Sequence, residues 1–167
     1  MATSPPNPER MLGIYLNDHL AGSTLGTALA ARIARRHRGT ATGRELDALA
    51  REIRADRASL HGAMRSIGVR VAPHKVALAW LAEKAGRLKL NGALWTPTPL
   101  SSVLELEMLA LGVRGKAAGW RTLLSRAETD RRLDADRLRD LITRADHQLE
   151  ALEELRIQAA ARTFGGG

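Results

Sequence analysis

The chain predicts an all-α fold: a four-helix bundle with a long crossover that contains a short fifth helix. Composition points there first, because 28 Ala and 26 Leu stand against 5 Val and 6 Ile, a balance that favours helix and argues against a β-rich fold. Capping signals then divide the chain into five helical segments, and segment and loop lengths decide which of them pair as hairpins.

Asn7 caps the first segment, with Pro8 in its first turn and Glu9 at the positive end of the helix dipole. That segment runs to about His37, ahead of Arg38 and Gly39. Thr42 with Glu45 reads as a capping box for a second segment that ends at Ile67 and Gly68. Pro73 opens a shorter third segment, from His74 to about Leu90, stopped by Asn91 and Gly92. The Thr96-Pro97-Thr98-Pro99 run breaks the helical pattern, and Ser102 with Glu105 forms the next capping box for a segment reaching about Ala127. Asp134 caps the last one, with Leu133 and Leu138 spaced as a hydrophobic staple, and it continues to about Thr163 before a glycine tail.

The four long segments have about 25 to 30 residues each, hence roughly 38 to 45 Å at 1.5 Å per residue. Short loops make the first and second segments one antiparallel hairpin and the last two another. About 35 residues separate the hairpins, enough to return the chain along the bundle with a short helix on the way. An up-and-down five-helix bundle is the alternative. Residues 1–7 are expected to be a flexible start, 8–163 a single bundle domain and 164–167 a flexible tail.

Apolar stripes support burial of one face per helix. They run through Leu12, Leu16, His19, Ser23, Gly26, Ala30 and Ile33 in the first segment. In the second they run through Leu46, Leu49, Ile53, Leu60, Met64 and Ile67, and in the last through Leu138, Leu141, Ala145, Leu149, Leu152, Leu155 and Ala159. The 102–127 segment is apolar around most of its circumference, so it meets partners on two sides: the crossover, or a second copy of the chain. A homodimer through that segment or the crossover is expected, where Trp80 and Trp95 are available to an interface.

Composition also excludes chemistry. With no cysteine there are no disulfides, zinc-thiolate sites, iron-sulfur clusters or thiol nucleophiles. The start of the chain lacks a basic-then-apolar leader pattern and no run of about 18 apolar residues occurs, so a cytoplasmic protein without a membrane span is expected. Arg outnumbers Lys 22 to 4, a bias that fits a GC-rich bacterial genome. The residues from 112 to 117 lack the glycine spacing and the Ser or Thr of a phosphate loop. Internal glycines each cost about 1 kcal/mol against alanine, and the spacing of Gly22 with Gly26 and of Gly115 with Gly119 reads as close helix packing.

A bundle with one long crossover raises the question of a dinuclear metal centre, which needs a carboxylate from each of two helices and Glu-x-x-His from each of the others. Asp18, His19, Asp56 and Glu107 are the candidate ligands, Glu107 being placed nearer the apolar side than Glu105. Neither Glu-x-x-His pair is present. The plainer reading, and the preferred one, makes these four a partly buried polar network paired with arginines such as Arg57 or Arg114.

The layout, together with the run from Asp56 through Arg57, His61, Met64 and Gly68 to Val69 and then Pro73, resembles the second helix and following loop of ferritin-like proteins of the bacterioferritin and starvation-protein kind. The resemblance implies a ferritin-like four-helix bundle. It also implies that Asp56 stands where the family has a metal-binding glutamate and Ser59 where it has that glutamate's histidine.

The function expected from these readings is a binding or structural role without catalysis and without a cofactor. The first alternative is a divergent metal-binding oxidase or iron-handling protein using Fe or Mn at Asp18, His19, Asp56 and Glu107. The second follows from charge: the chain is formally +8 with a pI near 11.1, and residues 31–70 hold 10 Arg against 4 acids. Arg32, Arg35, Arg36 and Arg38 form a candidate anion-binding patch for DNA or another polyanion, although they equally suit a helix C-terminus. A protein partner fits the first role; a membrane partner fits none.

Overall fold

The computed structural model describes residues 7–73 and 98–165, and within them four helices: α1 (Pro8–Arg36), α2 (Ala41–Ser66), α3 (Pro99–Ala127) and α4 (Ala135–Phe164). There is no strand among the described residues. The expected short helix from His74 to about Leu90, and with it Trp80 and Trp95, lies outside them.

The caps set these boundaries. Asn7 accepts from the Glu9 amide, Pro8 takes the first helical position, and Asp134 accepts from the Arg137 amide, as expected. Leu133 and Leu138 are both buried in one cluster, completing the staple. Two caps differ. The cap of α2 is Thr40, whose hydroxyl accepts from the Gly43 amide, two residues before the expected Thr42. That of α3 is Thr98, which accepts from the Ser101 amide, with Pro99 at the first helical position in place of a start at Ser102. In both cases a threonine with an extended backbone stands earlier and caps the helix first; in α3 the proline at the first helical position also needs no amide partner, so that helix gains a turn.

Cross-helix pairs fix the topology. Glu9 meets Arg126, the Tyr15 hydroxyl lies 3.1 Å from that of Thr122, and Arg36 reaches Glu105 at 2.7 Å, so α1 and α3 run antiparallel. Gln148 donates to Glu52 at 2.9 Å and Arg144 to Asp56, so α2 and α4 are antiparallel as well. Since short turns make α1/α2 and α3/α4 hairpins, α2 and α3 run in the same direction. The residues that connect them, 74–97, lie outside the described residues, and parallel α2 and α3 fit both the one-crossover layout and an up-and-down five-helix bundle.

The core divides into two blocks. One packs Ala30, Ile33, Leu46, Leu49, Ile53, Leu106, Leu109, Leu152 and Leu155. The other packs Leu16, Leu20, Leu60, Met64, Trp120, Leu123, Leu138 and Leu141. Polar clamps hold the second block's outer end. Asn17 donates to the carbonyls of Gly13 and Arg70 at 2.8 and 3.0 Å and accepts from the Ala72 amide, fastening the start of the crossover to α1. Arg132 grips Asp130 through two bonds of 2.8 and 2.7 Å and donates to the Ile67 carbonyl at the end of α2. The guanidinium holds the Asp130 carboxyl far below the usual carboxylate range. On α3, Leu100, Leu104, Met108 and Leu111 form the second apolar face that the sequence anticipates, and all four are exposed.

Gly43 gives this architecture a sharp test, because a Cβ there would sit 1.9 Å from the His37 carbonyl oxygen. Gly43→Ala should lower the unfolding free energy by more than about 1 kcal/mol, read from the urea midpoint at unchanged slope, despite alanine's better helix propensity. A stabilised variant would contradict the turn geometry.

Candidate functional site

Between the two core blocks the heptad spacing of α2 and α4 continues through polar residues. In α4 the buried positions are Leu138, Leu141, Ala145, Gln148, Leu152, Leu155 and Ala159, so Gln148 occupies the place expected for Leu149. In α2 Asp56 lies between Ile53 and Leu60 in the middle of the buried face, not at its edge. Both are only 1% exposed.

Burial forces these groups to find partners. Lys116 of α3 donates to Asp56 Oδ2 at 2.5 Å and also to the Gln148 side-chain oxygen Oε1. Arg144 of α4 donates to Asp56 Oδ1. The Gln148 amide donates to Asp56 at 3.2 Å and to Glu52 at 2.9 Å. One carboxylate therefore joins α2, α3 and α4. Desolvation pushes the Lys116 ammonium below its ordinary pKa, and the adjoining Asp56 charge opposes that shift.

Next to this network lies a cavity of about 440 Å³ between α1, α2 and α3. Its apolar wall includes Leu16, Ile53, Leu60, Leu109, Val113 and Trp120, and its polar groups include Tyr15, Asp18, His19, Asp56, Arg57 and Lys116. The Tyr15 and His19 rings meet edge to face at 4.4 Å. Burial lowers the His19 pKa below its usual value, with the Asp18 charge acting in the opposite sense. The indole nitrogen of Trp120 is buried and has no acceptor among the described residues.

Four glycines make the space. Gly22 and Gly26 of α1 and Gly112 and Gly115 of α3 all line the cavity, and a Cβ added at any of them would meet nothing within 4 Å. The expectation that this spacing lets helices pack closely is corrected for Gly22, Gly26 and Gly115, which with Gly112 leave a hollow. Of the glycines lining the cavity, Gly119 is the one where a Cβ would press on a neighbour, His19 Nδ1 at 3.1 Å.

Of the four candidate metal ligands, Asp18, His19 and Asp56 line this one cavity. Glu107 lies apart, opposite Arg156 of α4 at 3.9 Å. The inward carboxylate of α3 is Glu105, whose side chain is 12% exposed against 44% for Glu107, the reverse of the expected order. Glu105 shares a helix face with Lys116, eleven residues on, and packs toward α1. The cations expected for Asp56 are also replaced: Arg57 donates to the Thr24 hydroxyl at 3.3 Å, and Lys116 and Arg144 take its place. Among the described residues no group of three or more His, Asp or Glu side chains could hold a metal ion.

No protein-family model, curated protein or solved structure matches the chain. Among the described residues no helix is long and apolar enough to cross a membrane.

The candidate patch at the end of α1 also divides. Arg32 and Arg36 turn to Glu105, at 3.3 and 2.7 Å, while Arg35 and Arg38 line a separate groove on the α1/α2 side.

Sequence reasoning passed over Lys116, Arg144, Gln148 and Trp120 as site residues. For Gln148 the signal was its place in an otherwise apolar heptad; for Lys116 it was a lone lysine among glycines and alanines.

If the glycines are kept for the cavity and not for packing, Gly22→Ala, Gly26→Ala and Gly112→Ala should each raise stability. The expected gain is about 0.5–1 kcal/mol apiece in chemical denaturation, since alanine restores helix propensity without a clash. Destabilisation by any of the three would restore the packing role at that position.

Proposed function

We propose that the chain is a ferritin-like helical bundle with a non-catalytic binding role, and that its ligand is a small apolar molecule. The observation that carries this reading is the mid-bundle cavity of about 440 Å³ walled by four glycines. Its size suits a small-molecule site, which combines apolar walls with a few placed polar groups. Helix glycines weaken a helix, and four of them around one hollow are accounted for by something that occupies it.

The ferritin-like part of the reading is supported by the parallel α2 and α3 with their long connection, and by Asp56 at mid-bundle. The oxidase alternative fits the donor set poorly. Both oxygens of Asp56 already accept from fixed cations, so a divalent ion there would face an ammonium and a guanidinium. Self-association, as a homodimer, is assigned in the same reading to the exposed Leu100, Leu104, Met108 and Leu111 stripe.

Titration with the apolar fluorophore N-phenyl-1-naphthylamine tests the reading. The protein should give saturable one-site enhancement, and a Gly22→Leu/Gly112→Leu variant, which fills the cavity, should bind at least tenfold more weakly while its helical circular dichroism is kept. Equal binding by both proteins, or none by either, would overturn it. Loading with Fe(II) or Mn(II) under anaerobic conditions should leave less than one equivalent per chain; one or two equivalents, lost in Asp56→Ala, would favour the oxidase.

A further inference from the structure

The sequence places an excess of arginine between residues 31 and 70, and the structure sorts those side chains onto different faces. Arg32 and Arg36 are neutralised by Glu105, and Arg57 turns inward to Thr24. A different set collects where the end of α1 meets the first half of α2. Arg35, Arg38, Arg44, Arg51 and Arg54 line a groove of about 460 Å³ whose floor is Ala31, Ala34, Ala50 and the backbone at Gly39 and Gly43.

All five arginines are exposed. Asp47 is the one acidic residue in the lining; it lies 3.4 Å from Arg51, and the groove is left with a net charge of +4. Three other surface arginines are matched locally. Arg139 sits beside Asp136, Arg156 beside Glu153 and Arg121 beside Asp146. Like charges three or seven residues apart on one helix face repel each other, and an anion laid in the groove relieves that repulsion.

The stripe extends beyond the groove. Arg44, Arg51, Arg54, His61 and Arg65 fall within about 100° of one another around α2 at 100° per residue, and cover roughly 32 Å of axis. Arg65 and His61 hydrogen-bond at 3.3 Å, which continues the row in order. A phosphodiester backbone presents charge at that scale, roughly nine base pairs of duplex at about 3.4 Å each, and guanidinium groups bind phosphate oxygens in pairs. The described residues offer no exposed aromatic row on which single-stranded bases could stack.

We propose that this face binds the phosphate backbone of duplex nucleic acid without sequence preference, with Arg35, Arg38, Arg44, Arg51 and Arg54 as the contacting residues. The site is separate from the mid-bundle cavity and does not depend on the ligand assigned to it. It relocates the anion patch expected from sequence, keeping Arg35 and Arg38 and releasing Arg32 and Arg36.

The test is fluorescence anisotropy of a labelled 16-base-pair duplex of arbitrary sequence, at 50 and 200 mM KCl. Five phosphate contacts predict that affinity falls roughly 500-fold between those salt concentrations, from a log–log slope of about −4.5. Arg35→Gln/Arg54→Gln should weaken binding at 50 mM salt at least tenfold and reduce the slope by about 2. Arg131→Gln/Arg137→Gln removes the same charge from the α4 end and should change affinity less than threefold, with both variants checked for unchanged melting temperature. No binding at 50 mM salt, or equal weakening by the two variants, would overturn the proposal; the second result would mean that net charge alone attracts the duplex.

Discussion

The structure depends on one buried carboxylate. Asp56 sits at mid-bundle between two apolar blocks, bonded to Lys116 of α3 and Arg144 of α4 and touched by Gln148. A carboxylate taken out of water costs several kcal/mol unless cations and donors surround it, so helices α2, α3 and α4 are held at the one register that brings those groups together. The apolar blocks on either side contribute most of the burial energy, yet leucines and alanines tolerate sliding in a way that a buried ion pair does not. The same layer shapes the neighbouring cavity, because Asp56 and Lys116 form part of its wall.

Much of the fold was legible in the sequence because helices announce their ends. Asn7, Asp134 and the Leu133/Leu138 staple are where the residue types require them, and segment lengths alone demanded a long return between the hairpins. The two misplaced starts share a cause. Thr42/Glu45 and Ser102/Glu105 each satisfy the capping-box spacing, but Thr40 and Thr98 stand upstream, and a capping pattern cannot choose between two threonines or serines that both precede a helical run. The piece between Pro73 and Thr98 is the part of the expected architecture that lies outside the described residues.

The site was less legible, for a physical reason. Apolar stripes are found by looking for apolar residues, so Gln148 was skipped although its heptad position is as buried as that of the leucines around it. Asp56 was recognised, but its partners come from 60 and 88 residues further along the chain, and helical periodicity is silent about which faces of different helices meet. Glu105 and Glu107 were ranked in the wrong order because α3 is apolar on two faces, which leaves its inward direction undetermined from periodicity alone. The glycines were noticed at the right spacing; whether a missing side chain admits a neighbouring helix or leaves a hollow is decided only in three dimensions. The arginine-rich stretch likewise became informative once Glu105 had claimed Arg32 and Arg36 and left the groove arginines with a single acid.

The most direct test of this account is a double-mutant cycle over Asp56→Asn and Lys116→Met, read by urea unfolding of the single and double variants. If the Asp56 layer is the tie between the core blocks, Lys116→Met alone should cost about 3–5 kcal/mol by leaving a buried carboxylate short of its cation. The double variant should then lose little more than either single one, giving an interaction energy of at least about 2 kcal/mol. Additive losses, with a coupling below about 0.5 kcal/mol, would mean that the pair contributes nothing as a pair, and the central claim would fail.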